Sequence, residues 1–390
     1  MSASEATYML FSPQSWNSQH SRTRALAIEL SKQGHRTIYV NPPNSAAGVV
    51  RESIATVLNP LRRENIRFSH DSNMLEVWVP PILPTFYRGS LTPGFDRWLF
   101  KAWFDKKLKR VKSPIIAIIA MPYWWDGFLN DYAQKFSALV FDYQDPVGTY
   151  ARNVAIRRHM SEVFSQLVSQ VDGVIIHTES NYKNMTAHRQ PADVCLIRNA
   201  GYDIAGRQPG NFGDRKRQEH PVIGTVGRIS NNIDVALLLE LADRFPASSI
   251  VNIGTVSKET GSLRTKKNIV LLPPMTQDEL HSKIARFDVG ILPYHSNIEG
   301  SPLRVYDLLS ELLQVVSTNF ADAGYFKDVV HIADNRDDFI AKTADLLSGK
   351  KNWIPEETIV KFVSANTWKL RAEKLAFFCE SLLGNSERAR

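Results

Sequence analysis

The sequence predicts two doubly wound α/β domains in one chain, and three observations predict it. Short apolar runs alternate with helical periodicity almost from end to end, as in parallel strands joined by crossover helices. The 390 residues exceed what one core usually supports, so two domains are expected. Residues 206–220, G-R-Q-P-G-N-F-G-D-R-K-R-Q-E-H, then lose all apolar periodicity and read as a linker.

The elements follow in order. Tyr8 to Phe11 reads as the first strand, residues 20–33 as an amphipathic helix ending at Gly34, and Thr37 to Val40 as the second strand. Met74 to Val79, Ile115 to Met121, Leu139 to Asp142, Val174 to His177 and Val194 to Ile197 continue the strand series, with a helix over 151–171. Beyond the linker come strands Val222 to Val226, Ile250 to Ile253, Ile269 to Leu272, Val289 to Leu292 and Val315 to Ser317. Helices are expected over 234–244, 277–286, 302–312 and 367–383. The expected organisation is a domain over 1–205, the linker, a second domain over 221–366, and a tail over 367–390 packing back on the first domain.

Composition narrows the function classes. An apolar fraction of 43% with 22% charged residues is that of a globular protein, not a disordered one. The two cysteines, Cys195 and Cys379, lack metal-ligand spacing, so a reducing compartment is expected and a zinc site is not. No basic start followed by an apolar run opens the chain, and Ile115 to Met121 is too short to span a bilayer. A cytoplasmic protein is the expectation. The net charge of +7 lies wholly in residues 1–210, with 24 Lys/Arg against 17 Asp/Glu, while residues 211–390 carry 23 of each. Within Arg97 to Lys112, Trp98, Leu99, Phe100, Trp103 and Phe104 interleave with seven basic residues. Two readings stay open there: a helix lying on an anionic membrane, at the inner face of the cytoplasmic membrane, or a surface helix with its aromatics turned inward.

Neither half carries G-x-G-x-x-G after a strand or G-x-x-x-x-G-K-[ST], which argues against a dinucleotide dehydrogenase or a P-loop nucleotidase. The second half instead offers E-G-S-P-L-R-V-Y-D at 299–307, after the strand Val289 to Leu292 and before an apolar-periodic helix. Ser301 reads as N-cap and Pro302 as the first helical residue. The free N–H groups and dipole of that helix start suit a diphosphate, and Gly300 lets the backbone approach it. Glu299 could accept bonds from sugar hydroxyls, Asp307 could reach a ribose, and Arg304 could offset phosphate charge. On spacing alone, an ordinary helix start with Glu299 as a solvated loop acid explains the segment equally well.

The segment resembles the E-x7-E motif of retaining GT-B glycosyltransferases of family 4, with Asp307 in place of the second Glu. GTVGRIS at 224–230, LLLELADRFPASSIVNIG at 237–254 and NIVLLPPMTQDELHSKIARFDVGILPY at 268–294 are similar to the family's donor domain in order and spacing. FSPQSW, RTRALAIELSKQGHRTIYVNPP and ANTW at 365–368 resemble the branch of teichuronic-acid and other cell-surface polysaccharide transferases. The resemblance implies a GT-B fold, two Rossmann-like domains facing an interdomain cleft, with acceptor bound by the first and nucleotide-sugar by the second. It implies that Glu299 binds the donor sugar and Asp307 the ribose, that Gly300 and Ser301 meet phosphate with their backbone, that Gly227 belongs to the donor-binding loop, and that Arg228 stabilises the diphosphate leaving group. No cofactor or metal is expected, and no nucleic acid partner; the partners are a nucleotide-sugar and a glycan or lipid-linked acceptor. The family's Lys shortly after the Arg is missing, since residues 229–234 are I-S-N-N-I-D.

VFDYQDP at 140–146 resembles a strand-end acidic segment of the family, making Asp142 and Asp145 candidates for the cleft and Asp145 the catalytic candidate. A turn cap beside Pro146 is the plainer reading of Asp142. His177 and Trp16 are acceptor-side candidates, each equally readable as a packed residue, and Trp124 and Trp125 share that ambiguity. A nucleotide-sugar 2-epimerase, donor hydrolysis without transfer, and a donor-binding subunit without catalysis remain as alternatives.

Overall fold

The computed structural model describes residues 6–17, 21–44, 66–67, 74–83, 93–112, 114–144, 154–187, 189–204, 220–295, 302–349 and 353–388. The chain divides into two compact units, Met1–Ile197 with Arg371–Arg390, and Arg198–Leu370. The expected linker lies almost wholly outside the described residues; the division itself falls between Ile197 and Arg198.

The first unit holds strands β1 (Thr7–Phe11), β2 (Arg36–Val40), β3 (Ile66–Arg67), β4 (Leu75–Trp78), β5 (Ile115–Ile119), β6 (Ala138–Tyr143), β7 (Gly173–Ile176) and β8 (Val194–Leu196). Their order across the sheet is β3-β4-β2-β1-β5-β6-β7-β8, with only β3 antiparallel among them. Helices α1 (Arg22–Lys32), α2 (Pro93–Leu108), α3 (Val154–Gln170) and α4 (Glu179–Thr186) belong to the same unit. β5 reads I-I-A-I-I and every residue is buried, as a central parallel strand covered on both faces requires.

The second unit holds β9 (Val222–Val226), β10 (Ser249–Ile253), β11 (Ile269–Leu272), β12 (Val289–Leu292), β13 (Val315–Thr318) and β14 (His331–Ala333), in the order β11-β10-β9-β12-β13-β14. Chain order therefore reverses between β9 and β12, which makes the crevice at their carboxyl ends the topological switch point where ligands bind in such sheets. Its helices are α5 (Val235–Arg244), α6 (Gln277–Ile284), α7 (Leu303–Ser310), α8 (Arg336–Ser348) and α9 (Glu356–Ser364). The last helix, α10 (Trp368–Arg388), passes from this unit into the first, where Ala372, Leu375, Ala376, Phe378, Cys379 and Leu382 are buried.

One local reading needs correction, and one left open is narrowed. α7 begins at Leu303, with Pro302 in the cap position at φ −67° and ψ 133°. That extended ψ places Pro302 outside the helix, and Ser301 lies outside the described residues. In α2, burial runs through Asp96, Phe100, Phe104 and Leu108, one face at a spacing of four, with Leu99 and Trp103 packed beside it. Phe100 and Phe104 thus belong to the core, while Trp98 and Phe95 stay exposed and stack on each other at 5.6 Å.

The first unit also closes over an ion pair. Arg22, in the first turn of α1, donates from Nε to both carboxylate oxygens of Asp142 on β6 at 3.1 and 3.0 Å, and the two side chains are 4% and 2% exposed. Gln144 donates to the same carboxylate at 2.9 Å. Asp142 is therefore a structural counter-ion, neither a turn cap nor an open cleft acid. A cation at a helix amino end opposes the helix dipole, so removing Asp142 strands a buried charge. Asp142→Ala should cost about 3–5 kcal/mol in urea unfolding, and the double variant Arg22→Met/Asp142→Leu should recover most of that loss.

Candidate active site

β9 runs directly into Gly227-Arg228 at the switch point of the second unit. Gly227 has φ +91° and Gly254, at the end of β10, has φ +151°, conformations that suit glycine. A Cβ on Gly254 would stand 2.3 Å from the Gly227 carbonyl oxygen, and one on Gly227 would stand 3.0 Å from the Arg304 guanidinium. The loop from Gly227 to Asp234 is tied down on both sides. Gly227 N–H donates to Ile253 O at 2.8 Å and Ile229 N–H to Thr255 O at 2.9 Å. Asp234 N–H donates to Pro293 O at 2.8 Å, while the Asp234 side chain caps α5 and pairs with Arg336. Arg228 rides on this fixed loop with an exposed side chain that has no hydrogen-bond partner among the described residues.

Arg304 sits in the first turn of α7. Its Nη2 donates to the Arg228 carbonyl at 3.0 Å, and its guanidinium lies 5.4 Å from the Tyr294 ring centroid at the end of β12. Its Nη1 is buried without a partner among the described residues. An unsatisfied guanidinium nitrogen is costly to keep and is the donor type that a phosphate oxygen satisfies. One turn on, burial pushes the Asp307 carboxyl up to about 6, against the opposing pull of His281, Arg304 and a hydrogen bond from Gln277.

α6 supplies the groups facing Asp307. Thr276 caps it in a capping box, its N–H donating to Glu279 at 2.9 Å. Gln277 and His281, four residues apart, fall on one face; Asp307 and Glu311 do the same at α7. His281 Nδ1 lies 2.5 Å from Glu311 Oε1, and its Nε2 lies 2.6 Å from Gln277 Nε2. None of Gln277, His281, Glu311 and Tyr294 was singled out by sequence reasoning. The signal that could have found the first three is the polar i, i+4 spacing at two consecutive helices.

Of the sequence candidates, Gly227, Arg228, Arg304 and Asp307 come together here. Glu299, Gly300, Ser301 and Asp145 lie outside the described residues. In the first unit, His177 is 4% exposed, its Nδ1–H donating to the Tyr143 carbonyl at 3.2 Å at the end of β7. Trp16 is also 4% exposed, edge-on to Tyr39 and covered by the Arg24 guanidinium at 4.9 Å. Both side chains are packed rather than open. What sequence reasoning missed in that unit is the network at the β1–β5 switch point. Ser12 Oγ meets the Tyr39 hydroxyl at 2.5 Å, Trp124 Nε1 donates to Ser12 O at 3.0 Å, and Asn41 Oδ1 accepts from Trp16 N–H at 2.9 Å. Buried polar residues directly after strands, Ser12 and Asn41, were its signal. Among the described residues no group of His, Cys, Asp and Glu could hold a metal ion.

No protein-family model matches the sequence, and no curated relative does. Solved structures do. A sucrose-phosphate synthase from Thermosynechococcus elongatus aligns with TM-score 0.72 at 10% identity, over 97% of this chain and 99% of its own. Anabaena HepE, solved with UDP and glucose, aligns with TM-score 0.67 at 13% identity, over 96% and 99%. The fold is GT-B. The catalytic domain of starch synthase IV from Arabidopsis thaliana, bound to ADP and acarbose, shares that GT-B architecture at TM-score 0.64 and 11% identity, over 97% and 99%.

The Asp307 carboxyl gives a signed stability test. Its folded value of about 6 exceeds the ordinary 3.8, so the unfolded chain ionises first and stability falls as pH rises between the two. Above about 6 the full cost, about 3 kcal/mol, is present. Asp307→Asn should therefore stabilise the second unit most at pH 7.5, with the advantage shrinking as pH falls toward 4; chemical denaturation across that range measures it.

Proposed function

We propose that the chain is a nucleotide-sugar-dependent glycosyltransferase of the retaining, family-4 kind, acting in cell-surface polysaccharide synthesis. The observation that carries this reading is the exposed Arg228 on a fixed loop at the switch point, held beside an incompletely satisfied Arg304 and an intrinsically destabilised Asp307. HepE, with UDP and glucose, starch synthase IV, with ADP, and TarM, solved with UDP, share the fold and support a nucleoside diphosphate as the ligand chemistry. The E-x7-D segment Glu299 to Asp307 supports the assignment of the donor to the second unit.

In the proposed reaction the bond between the anomeric carbon and the diphosphate oxygen breaks, and the electron pair leaves with the nucleotide. The acceptor hydroxyl oxygen attacks that carbon on the face the leaving group departs, and its proton passes to the departing phosphate. Charge grows on the β-phosphate, where Arg228, with Arg304 behind it, offsets it without reorganising. Glu299 holds sugar hydroxyls and Asp307 the ribose. With no lysine among residues 229–234, Arg228 carries most of this stabilisation. Asp145, Trp16 and His177 belong to the first unit, to which the reading assigns the acceptor; packed as they are, Trp16 and His177 would shape its site rather than stack on a sugar. Arg228→Ala should lower kcat by about 10²–10³-fold in a radiolabelled nucleotide-sugar transfer assay. Transfer surviving the double variant Arg228→Ala/Glu299→Ala would overturn the reading.

A lipid-linked acceptor calls for a membrane surface, and α2 suits one. The stacked Phe95 and Trp98 are 51% and 61% exposed. Lys106, Lys109, Arg110 and Lys112 are exposed at the far end of the helix and just beyond it, while Arg97 and Lys101 pair with Asp131 at 2.8 and 3.9 Å. Exposed aromatics followed by a run of basic residues match an anionic interface, each cation contributing about 1 kcal/mol. No helix among the described residues is long and apolar enough to cross a membrane. The chain should co-sediment with phosphatidylglycerol vesicles. Lys106→Glu/Lys109→Glu/Arg110→Glu and Phe95→Ala/Trp98→Ala should each reduce the bound fraction to the level seen with neutral vesicles, and unchanged binding would exclude this face.

A further inference from the structure

Two neighbouring side chains of the second unit each keep a buried hydrogen-bonding group with no partner among the described residues: the Tyr294 hydroxyl and Arg304 Nη1. The guanidinium lies over the Tyr294 ring, 5.4 Å from its centroid. In that position it makes a cation–π contact, and the hydroxyl at the ring edge stays unused. Packing thus brings the two groups together without letting either satisfy the other. Tyr294 is pinned through its backbone. Its N–H donates to Thr318 Oγ1 at 2.9 Å, and that hydroxyl donates back to Tyr294 O at 2.8 Å. An antiparallel bridge joins Tyr294 to Ile233 on the loop that carries Arg228. The residue is 4% exposed, and its ring meets Phe320 edge-on at 5.7 Å. Burial pushes the phenol pKa up, so the hydroxyl keeps its proton and remains able to donate. A tyrosine serving only to pack would be improved by losing that oxygen, because an orphaned buried hydroxyl costs stability.

Resting on the reading of the second unit as the nucleotide-sugar unit, we propose that Tyr294 is a further nucleotide-binding residue, its hydroxyl and Arg304 Nη1 together clamping the diphosphate. A diphosphate suits this pair on three counts. Its oxygens only accept, its charge answers the guanidinium, and it presents several oxygens close together. A neutral sugar hydroxyl would leave the cation unpaired. The three side chains then divide the task. Arg228 approaches from the exposed loop, Arg304 binds the loop with Nη2 and phosphate with Nη1, and Tyr294 adds an uncharged O–H. Because the Tyr294 backbone is tied to both β13 and the Arg228 loop, that O–H is in place before the ligand arrives. A fixed hydrogen-bond donor in a water-excluded site stabilises phosphate charge without reorganising.

The test separates phosphate recognition from packing. UDP, ADP and GDP are titrated calorimetrically into the full chain, and uridine, adenosine and guanosine are measured by competition against the best of them. Tyr294→Phe removes one oxygen and keeps the ring and every backbone bond. It should weaken the best diphosphate by about tenfold or more while leaving the matching nucleoside within about twofold. The unfolding midpoint of the unliganded variant should equal or exceed that of the unaltered chain. Arg304→Ala should weaken the diphosphate at least as strongly. Undiminished diphosphate affinity in Tyr294→Phe, with loss of it in Arg304→Ala, would overturn the clamp and leave the nucleotide reading standing. Equal losses for diphosphate and nucleoside, or a lowered midpoint, would also overturn the clamp, since the hydroxyl would then serve the nucleoside or the fold. No binding of any diphosphate to the unaltered chain would overturn the nucleotide reading itself.

Discussion

The bond from the Arg304 guanidinium to the Arg228 carbonyl, at 3.0 Å, joins the first turn of α7 to the loop that closes β9. Those two segments come from opposite sides of the switch point, and each brings a cation. The bond sets the spacing between them. It needs Gly227, where a Cβ would meet the guanidinium, and Gly227 in turn needs Gly254, whose own Cβ would meet the Gly227 carbonyl. Two glycines of positive φ thus line the approach of this arginine to the loop. Arg304 spends one nitrogen on this bond and lies against Tyr294, leaving Nη1 without a protein partner among the described residues. A buried donor left without a partner costs stability, and the proposed diphosphate would satisfy it.

Asp307 likewise is a carboxylate kept where burial disfavours its charge, and its pKa is pushed up for that reason. In the first unit the opposite solution is found. Asp142 is more deeply buried, and it is engaged by Arg22 and Gln144, so it contributes to the fold. Two carboxylates at the ends of parallel strands or in the helices beside them therefore differ by whether a cation saturates them, a distinction that sequence cannot make.

That contrast explains what was legible. Strands such as β5, β9 and β12 could be read directly because burial on both faces makes them largely apolar runs, and the alternation with helices pointed to parallel sheets, though not to the strand order within them. β14 went unread because it is three residues long and only half-buried; α8 and α9 follow it and were missed with it. The Pro302 position shifted because proline's φ fits a helix while its ψ here does not. At the site, Gly227, Arg228, Arg304 and Asp307 were legible as a motif. Gln277, His281 and Glu311 were not, because their meaning depends on α6 lying against α7. Trp16 and His177 were visible as residue types, but their packing against Tyr39, Arg24 and the Tyr143 carbonyl is a tertiary fact.

Amide hydrogen exchange with and without saturating nucleotide-sugar, over a panel of UDP-, GDP-, ADP- and dTDP-sugars, tests whether a nucleotide-sugar diphosphate sits between the Gly227–Arg228 loop and the start of α7. Slowed exchange confined to residues 227–230 and 299–307 is expected for the donor that binds. Protection by a bound donor that spares both segments would contradict it.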